Sequence, residues 1–258
     1  MIIESGRIFG FAILIVIMIT TMYVMNEVKK GKTFTIRRVP GLDAMEEALG
    51  RCVEMGRPVL ATPSWRPLGS YALPIMAGIS IVRWICLRAA ELELPVFMPV
   101  GSADTYPLIL SNYEQACAEA GKEDFFNPDN VIYLSGQQWA FTTGLIEIMI
   151  NENPGANIFI GRWSAETLGV CAVGNKLGAF QIGGTDQFSN TSFFAITSDY
   201  TLIGDELYAA AAYVSDDPEL KSFLTAQDVI KLLAASVITL GVLLSSFGID
   251  IITQLINL

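Results

Sequence analysis

The sequence predicts an α/β protein: a mainly parallel, doubly wound, Rossmann-like sheet flanked by an N-terminal and a C-terminal transmembrane helix. Three observations carry this. Both ends hold long uncharged apolar runs, short wholly apolar segments of strand length recur between them, and segments of helix length separate those strands. Strands that are apolar throughout are buried on both faces, which is how a parallel sheet covered by right-handed crossover helices reads.

The first element runs from Ile8 to Met25, IFGFAILIVIMITTMYVM, with no charge inside it. At ~1.5 Å per residue, roughly 20 apolar residues cross ~30 Å of hydrocarbon, so the stretch just reaches. A cleaved signal peptide is the rival reading. The leader MIIESGR sets Glu4 against Arg7, and the run ends in Tyr23-Val24-Met25-Asn26 rather than a small-residue cleavage site. An uncleaved anchor is therefore expected.

From Thr33 the pattern becomes that of a soluble domain. TFTIRRV reads as a short strand, and Asp43 with Glu46 three residues on reads as a helix start, the helix stopping at Gly56. Strand PVLATP (Pro58–Pro63) follows, then a helix from about Tyr71 to Glu93 and the strand Val96–Val100. The next pairs are a helix from Thr105 to Ala120 with Val131–Ser135, and one from Gln137 to Asn151 with Asn157–Gly161. A helix from Trp163 to Asn175 leads to Ala179–Gly183, and the tail holds FFAITS, YTLIG and a helix from about Asp205 to Val214. Tyr71–Val82 is apolar enough to suggest a third span. Its charge-free run is short and Arg83 and Arg88 follow, so a buried core helix is the expectation.

The last element, from Leu232, is LLAASVITLGVLLSSFGI, closed by Asp250. Gly241, Ser245 and Gly248 are its candidate helix-packing positions, because small residues let helix backbones approach closely in lipid. The domains expected are thus an N-terminal anchor over 1–28, an α/β domain over 29–228 and a C-terminal transmembrane helix over 229–258. Lys29, Lys30, Lys32, Arg37 and Arg38 follow the first span and Lys221 and Lys231 precede the second, while the outer flanks offer Arg7. The positive-inside rule then places the protein in the cell membrane with the central domain cytoplasmic and both termini outside.

Four blocks of the central domain carry a resemblance: GLDAMEEALGRCVEMGRPVL, the NIFIGRWSAETL strand-to-helix turn, GAFQIGGTDQ, and SDYTLIGDELYAAAAYVS before the terminal span. Together they resemble the DUF6754-type family of prokaryotic membrane proteins, whose function is unknown, from roughly Gly41 to the second span. The resemblance implies membrane anchoring and an α/β domain. It implies no reaction, cofactor or catalytic residue.

Composition narrows the chemistry. Hydrophobic residues make up 52% and charged residues 16%, so the apolar excess belongs in membrane spans. A net charge of −10 argues against nucleic acid as a partner, which needs a basic footprint. The absence of His removes Ser-His-Asp and Cys-His catalysis and His-ligated metals. Cys52, Cys86, Cys117 and Cys171 are scattered, with no CxxC. No catalytic residue, cofactor or metal site is assigned.

In an open α/β sheet, ligands bind beyond the carboxyl ends of the strands. That edge is expected to hold Thr62, Ser64, Ser135, Gln137, Gln138, Ser198 and Asp199 around the candidate ligand residues Arg162, Glu166, Gly183, Gly184, Thr185 and Asp186. Two glycines directly after a strand let a ligand approach the backbone, or simply make a turn that only Gly fits, which is the plainer reading. Glu166 in the first turn of its helix also answers the helix dipole. Asp186, Asp199 and Glu166 lack metal-ligand spacing, so caps and solvated loop ends are the simpler reading than a hard-cation site. The expected role is non-catalytic: a membrane-anchored scaffold or complex subunit that assembles with itself or with other membrane proteins in the lipid bilayer. The alternative is a membrane-anchored enzyme or sensor that binds a small anionic or nucleotide-like ligand at the carboxyl edge.

Overall fold

The structure, a computed structural model, describes residues 8–30, 38–215 and 218–246. It divides into two compact units, one formed by residues 1–36 with 216–258 and the other by residues 37–215. In the first unit α1 (Ile8–Lys29) packs against α9 (Pro218–Ser246). Gly10–Val28 and Leu224–Ser246 are long and apolar enough to cross a membrane, and almost none of either stretch is buried. Gly241 and Ser245 lie in the last turns of α9, whereas Gly248 is outside the described residues. So is most of the strand expected over 33–39.

The second unit begins with α2 (Pro40–Met55) and β1 (Val59–Thr62). The helix starts earlier than expected, with Val39 at the cap and Pro40 in the first turn, where its missing N–H is no loss. Asp43 and Glu46 are therefore not a capping pair. Both reach Arg38, at 2.7 and 2.8 Å. The stop at Gly56 is as expected: its φ of 61° is a left-handed cap that glycine adopts without steric cost.

Next come α3 (Leu68–Glu91), β2 (Val96–Val100), α4 (Tyr106–Glu119), β3 (Val131–Tyr133), α5 (Gln138–Glu152) and β4 (Ala156–Gly161). The chain closes the unit with α6 (Glu166–Lys176), β5 (Phe180–Thr185), α7 (Phe188–Thr197), β6 (Tyr200–Ile203) and α8 (Asp205–Ser215). FFAITS is thus helical, and YTLI is the last strand.

All six strands are parallel, in the order β3-β2-β1-β4-β5-β6. Helices α2, α3, α4 and α8 cover one face, and α5, α6 and α7 the other. This is the doubly wound order in which strand succession reverses between β1 and β4, opening a crevice beyond their carboxyl ends. Helix α3 is long and apolar enough to span a membrane, but half of that stretch is buried, against β1, β4, α4 and α8. Tyr71 breaks it at φ −135°, ψ 33°. Pro74 explains the break, because its ring clashes with the carbonyl four residues back and the helix must restart so that Pro74 falls in a first turn.

The core under α5–α7 is aromatic. Trp163 is fully buried, with Phe159, Phe141 and Phe194 at ring-centroid distances of 5.2, 6.3 and 6.2 Å. Burying rings of this size is the main apolar contribution on this face.

Candidate functional site

Two segments meet at the crevice between β1 and β4: Pro63-Ser64-Trp65-Arg66-Pro67, leading into α3, and Arg162-Trp163-Ser164-Ala165, leading into α6. They touch at the backbone. Gly161 has φ 123°, and a β-carbon there would overlap the carbonyl oxygen of Pro63, so only glycine lets the segments approach this closely. Opposite it, Ser64 sits at φ 96°, a conformation that costs a non-glycine residue about 1–3 kcal/mol. Two hydrogen bonds hold it: its N–H donates to Thr62 Oγ1 at 3.2 Å and its hydroxyl donates to the Arg162 carbonyl at 2.5 Å.

Glu166 ties the crevice walls together. The residue is 1% exposed, and its carboxylate accepts from Trp65 Nε1 (2.8 Å), the Ser164 N–H (2.9 Å) and Gln138 Nε2 (2.5 Å). A buried carboxylate needs such donors to offset its lost hydration. Here they come from the β1–α3 segment, the β4–α6 segment and α5, so both oxygens are engaged inside the fold.

The outer wall carries two guanidinium groups. Arg66 lies 4.3 Å from the Trp65 ring and 5.0 Å from the Tyr71 ring, and Arg162 lies 5.1 Å from the same Tyr71 ring. Arg66 donates to Ser164 Oγ at 2.7 Å and to the Tyr71 hydroxyl at 3.3 Å, and its buried Nε has no hydrogen-bond partner. Arg162 pairs with Asp186 at 2.9 Å, and the other Asp186 oxygen, Oδ1, is buried and unpartnered. Tyr208 on α8 is close by. Burial, with the Asp186 charge second, pushes its hydroxyl up to about 12, so it stays protonated at neutral pH.

A second device closes the start of α3. The Leu68 N–H donates to Asp104 Oδ2 at 2.9 Å, and Ser102 donates to the other oxygen. Burial pushes the Asp104 carboxyl up. The hydrogen bonds from Ser102, the backbone and Thr105 outweigh it, and the group titrates below the ordinary carboxylate range. In dinucleotide-binding sheets of this strand order, the helix after β1 receives a pyrophosphate at its N-terminus. Here the chain's own carboxylate stands at that position.

The structure separates the residues expected at the carboxyl edge. Arg162, Glu166, Asp186, Ser64 and Gln138 converge around the β1/β4 crevice. Thr185 ends β5, where its hydroxyl accepts from the Gln187 N–H at 3.3 Å. Gly183 and Gly184 do not form a turn. Both are inside β5 with neither φ positive, and a β-carbon on Gly183 would overlap the Phe194 ring. Ser198 and Asp199 precede the last strand and so lie at the amino edge, where Asp199 Oδ2 accepts from the Gln181 N–H at 2.7 Å. Asp199 therefore does not join Asp186 and Glu166. Among the described residues no group of three or more His, Cys, Asp or Glu is placed to hold a metal ion.

Arg66, Tyr71 and Asp104 escaped the sequence reading. The available signal was an Arg between Trp and Pro directly after the first buried strand, in SWRPLGSY. An open depression of about 780 Å³, lined by Glu93, Gly121, Lys122, Glu123, Asp124 and Phe125, lies at the opposite, amino edge of the sheet.

The model of a family described as a domain of unknown function, DUF6754, matches residues 1–256. No curated protein and no solved structure matches the chain.

Proposed function

The chain belongs to the DUF6754 family, a domain of unknown function, and from that premise we propose that it is a membrane-anchored binding module. Its α/β unit holds a small polar ligand in the β1/β4 crevice and acts as a sensor or ligand-holding subunit rather than an enzyme. The observation that carries this reading is the crevice itself. A strained Ser64, an unpartnered buried donor on Arg66 and an unpartnered buried acceptor on Asp186 meet at the reversal point of a doubly wound sheet. Backbone strain concentrates where function over-determines the conformation, and ligands of such sheets bind at this point. The non-catalytic emphasis follows from the chemistry present. Ser64 donates to a carbonyl, among the described residues no basic side chain hydrogen-bonds to it, and the sequence contains no His. Anchoring in the cell membrane by α1 and α9, with the unit on the cytoplasmic side, follows the apolar ends and their basic inner flanks.

The test is a thermal-shift screen of small polar compounds on the full chain in mild detergent, followed by hydrogen exchange. A binder is expected to slow exchange over residues 62–68 and 161–166 and to be recovered unchanged. Conversion of the compound, or protection confined to residues 93 and 121–125, would overturn the reading.

Assembly is the second reading, favoured by Trp139, Phe188 and Ile196, which are 65%, 88% and 81% exposed on α5 and α7. Aromatic and apolar side chains left open to water suit a subunit contact. Replacing Phe188 and Ile196 by Ser should then shrink the detergent-solubilised particle without unfolding the unit.

A further inference from the structure

We propose that the ligand is a phosphate monoester that also carries a free hydroxyl, its phosphate on Arg66 and Arg162 and its hydroxyl on Asp186. This rests on the binding reading above and adds the chemistry of what is bound.

Arg66 supplies the first argument. Its guanidinium lies 4.3 Å from the Trp65 ring and 5.0 Å from the Tyr71 ring, and it donates hydrogen bonds in its own plane. Two of its N–H donors are used, by Ser164 and Tyr71, and both acceptors are uncharged hydroxyls. Among the described residues, no carboxylate lies within ion-pair distance of it. A planar fork with unspent donors and no counter-anion is the arrangement that recognises an oxyanion.

The neighbouring charges decide which oxyanion. Glu166 is spent on Trp65, Ser164 and Gln138, and Asp186 pairs with Arg162 through one oxygen. The second guanidinium stands on the same Tyr71 ring as the first. Together they present more donors than the two oxygens of a carboxylate accept, and a phosphate brings three terminal oxygens. The N-terminus of α3 is already capped by Asp104, so the pyrophosphate cradle of a dinucleotide is taken. The donors left on the two guanidinium groups suit one phosphate group.

Asp186 supplies the second half. Its Oδ1 is buried and without a donor, next to the guanidinium that would face the phosphate. An unsatisfied buried carboxylate oxygen favours a ligand that brings its own O–H. A sugar phosphate and lysophosphatidic acid, a glycerol lipid with a phosphate monoester and a free hydroxyl, share this chemistry, one soluble and one held in a bilayer.

Binding to the full chain in detergent would be measured with ribose 5-phosphate, ribose, inorganic phosphate and glycerate, and with micelles doped with lysophosphatidic acid. Ribose 5-phosphate or the doped micelles should bind saturably, at least tenfold more tightly than phosphate, ribose or glycerate. Which of the two binds identifies the soluble or the lipid source. Arg66→Met should lose at least tenfold in affinity, with Arg66→Lys intermediate. Asp186→Asn should bring the phosphate ester and inorganic phosphate to parity. Equal binding of glycerate, or binding of an unphosphorylated compound that Arg66→Met abolishes, would overturn the phosphate assignment and leave the crevice reading standing. No binding by folded wild-type protein to any of these probes, with Arg66→Met indistinguishable in the wider screen, would overturn both.

Discussion

Gly183 and Gly184 are neighbours in β5, yet a methyl group added to each meets different surroundings. At Gly183 it runs into the Phe194 ring, which is locked edge-on against Trp163 at 6.2 Å and has nowhere to go. At Gly184 it meets the Ile160 and Leu202 side chains at 3.0–3.2 Å, where small rotations give relief. Gly183→Ala should therefore cost about 2–3 kcal/mol and Gly184→Ala about 1 kcal/mol or less, read from denaturant melts of the full chain. Equal costs would show that the ring does yield. From the sequence the pair looked like a turn or a ligand approach. What requires glycine at 183 is a ring eleven residues on, and no local pattern announces that. Asp104 makes a residue-scale prediction of a different kind. Because its carboxyl titrates below the ordinary range, it adds stability that is present above the unfolded pKa of about 3.9 and is lost as pH falls through its folded value. Asp104→Asn should cost about 1 kcal/mol at neutral pH, at the low end of cap effects because the residue is exposed. The melting temperatures of the two proteins should converge as pH falls below about 4, and a gap constant from pH 7 to 3 would contradict the assignment.

At the scale of elements, the apolar ends and the buried strands were legible because each rests on composition over a window. Residues in β1 and β4 are buried throughout, and their sequences show it. Helix starts were less legible. Asp43 and Glu46 have the spacing of a capping pair, but Pro40 in the first turn set the start and both acids turned to Arg38. The terminal helices make a direct prediction. Arg placed at Ile15 or at Leu240 should cost roughly 2.5–3.5 kcal/mol of insertion free energy, read as the membrane-inserted fraction of each variant. Normal insertion of both would show that α1 and α9 do not cross the bilayer. Helix α3 is the informative contrast. It too is long and apolar enough to cross a membrane, and it differs because β1 and β4 bury one side of it.

At the scale of the whole molecule, the sequence by itself determined the fold class, the alternation of strands with helices, the apolar ends and the net charge of −10. Each depends on residue type and local period, which are properties of the chain alone. Only the tertiary structure decided the strand order and hence the place of the crevice. The same alternation of strands and helices is compatible with many orders, and the reversal between β1 and β4 arises from which strands pair. That pairing brought Arg66 and Tyr71, which follow β1, against Arg162, which follows β4, and set Asp104 at the start of α3. Arg66 and Arg162 are far apart in sequence and share one aromatic ring in space. Sequence spacing measures distance along the chain, whereas the chemistry of this crevice depends on distance across the sheet.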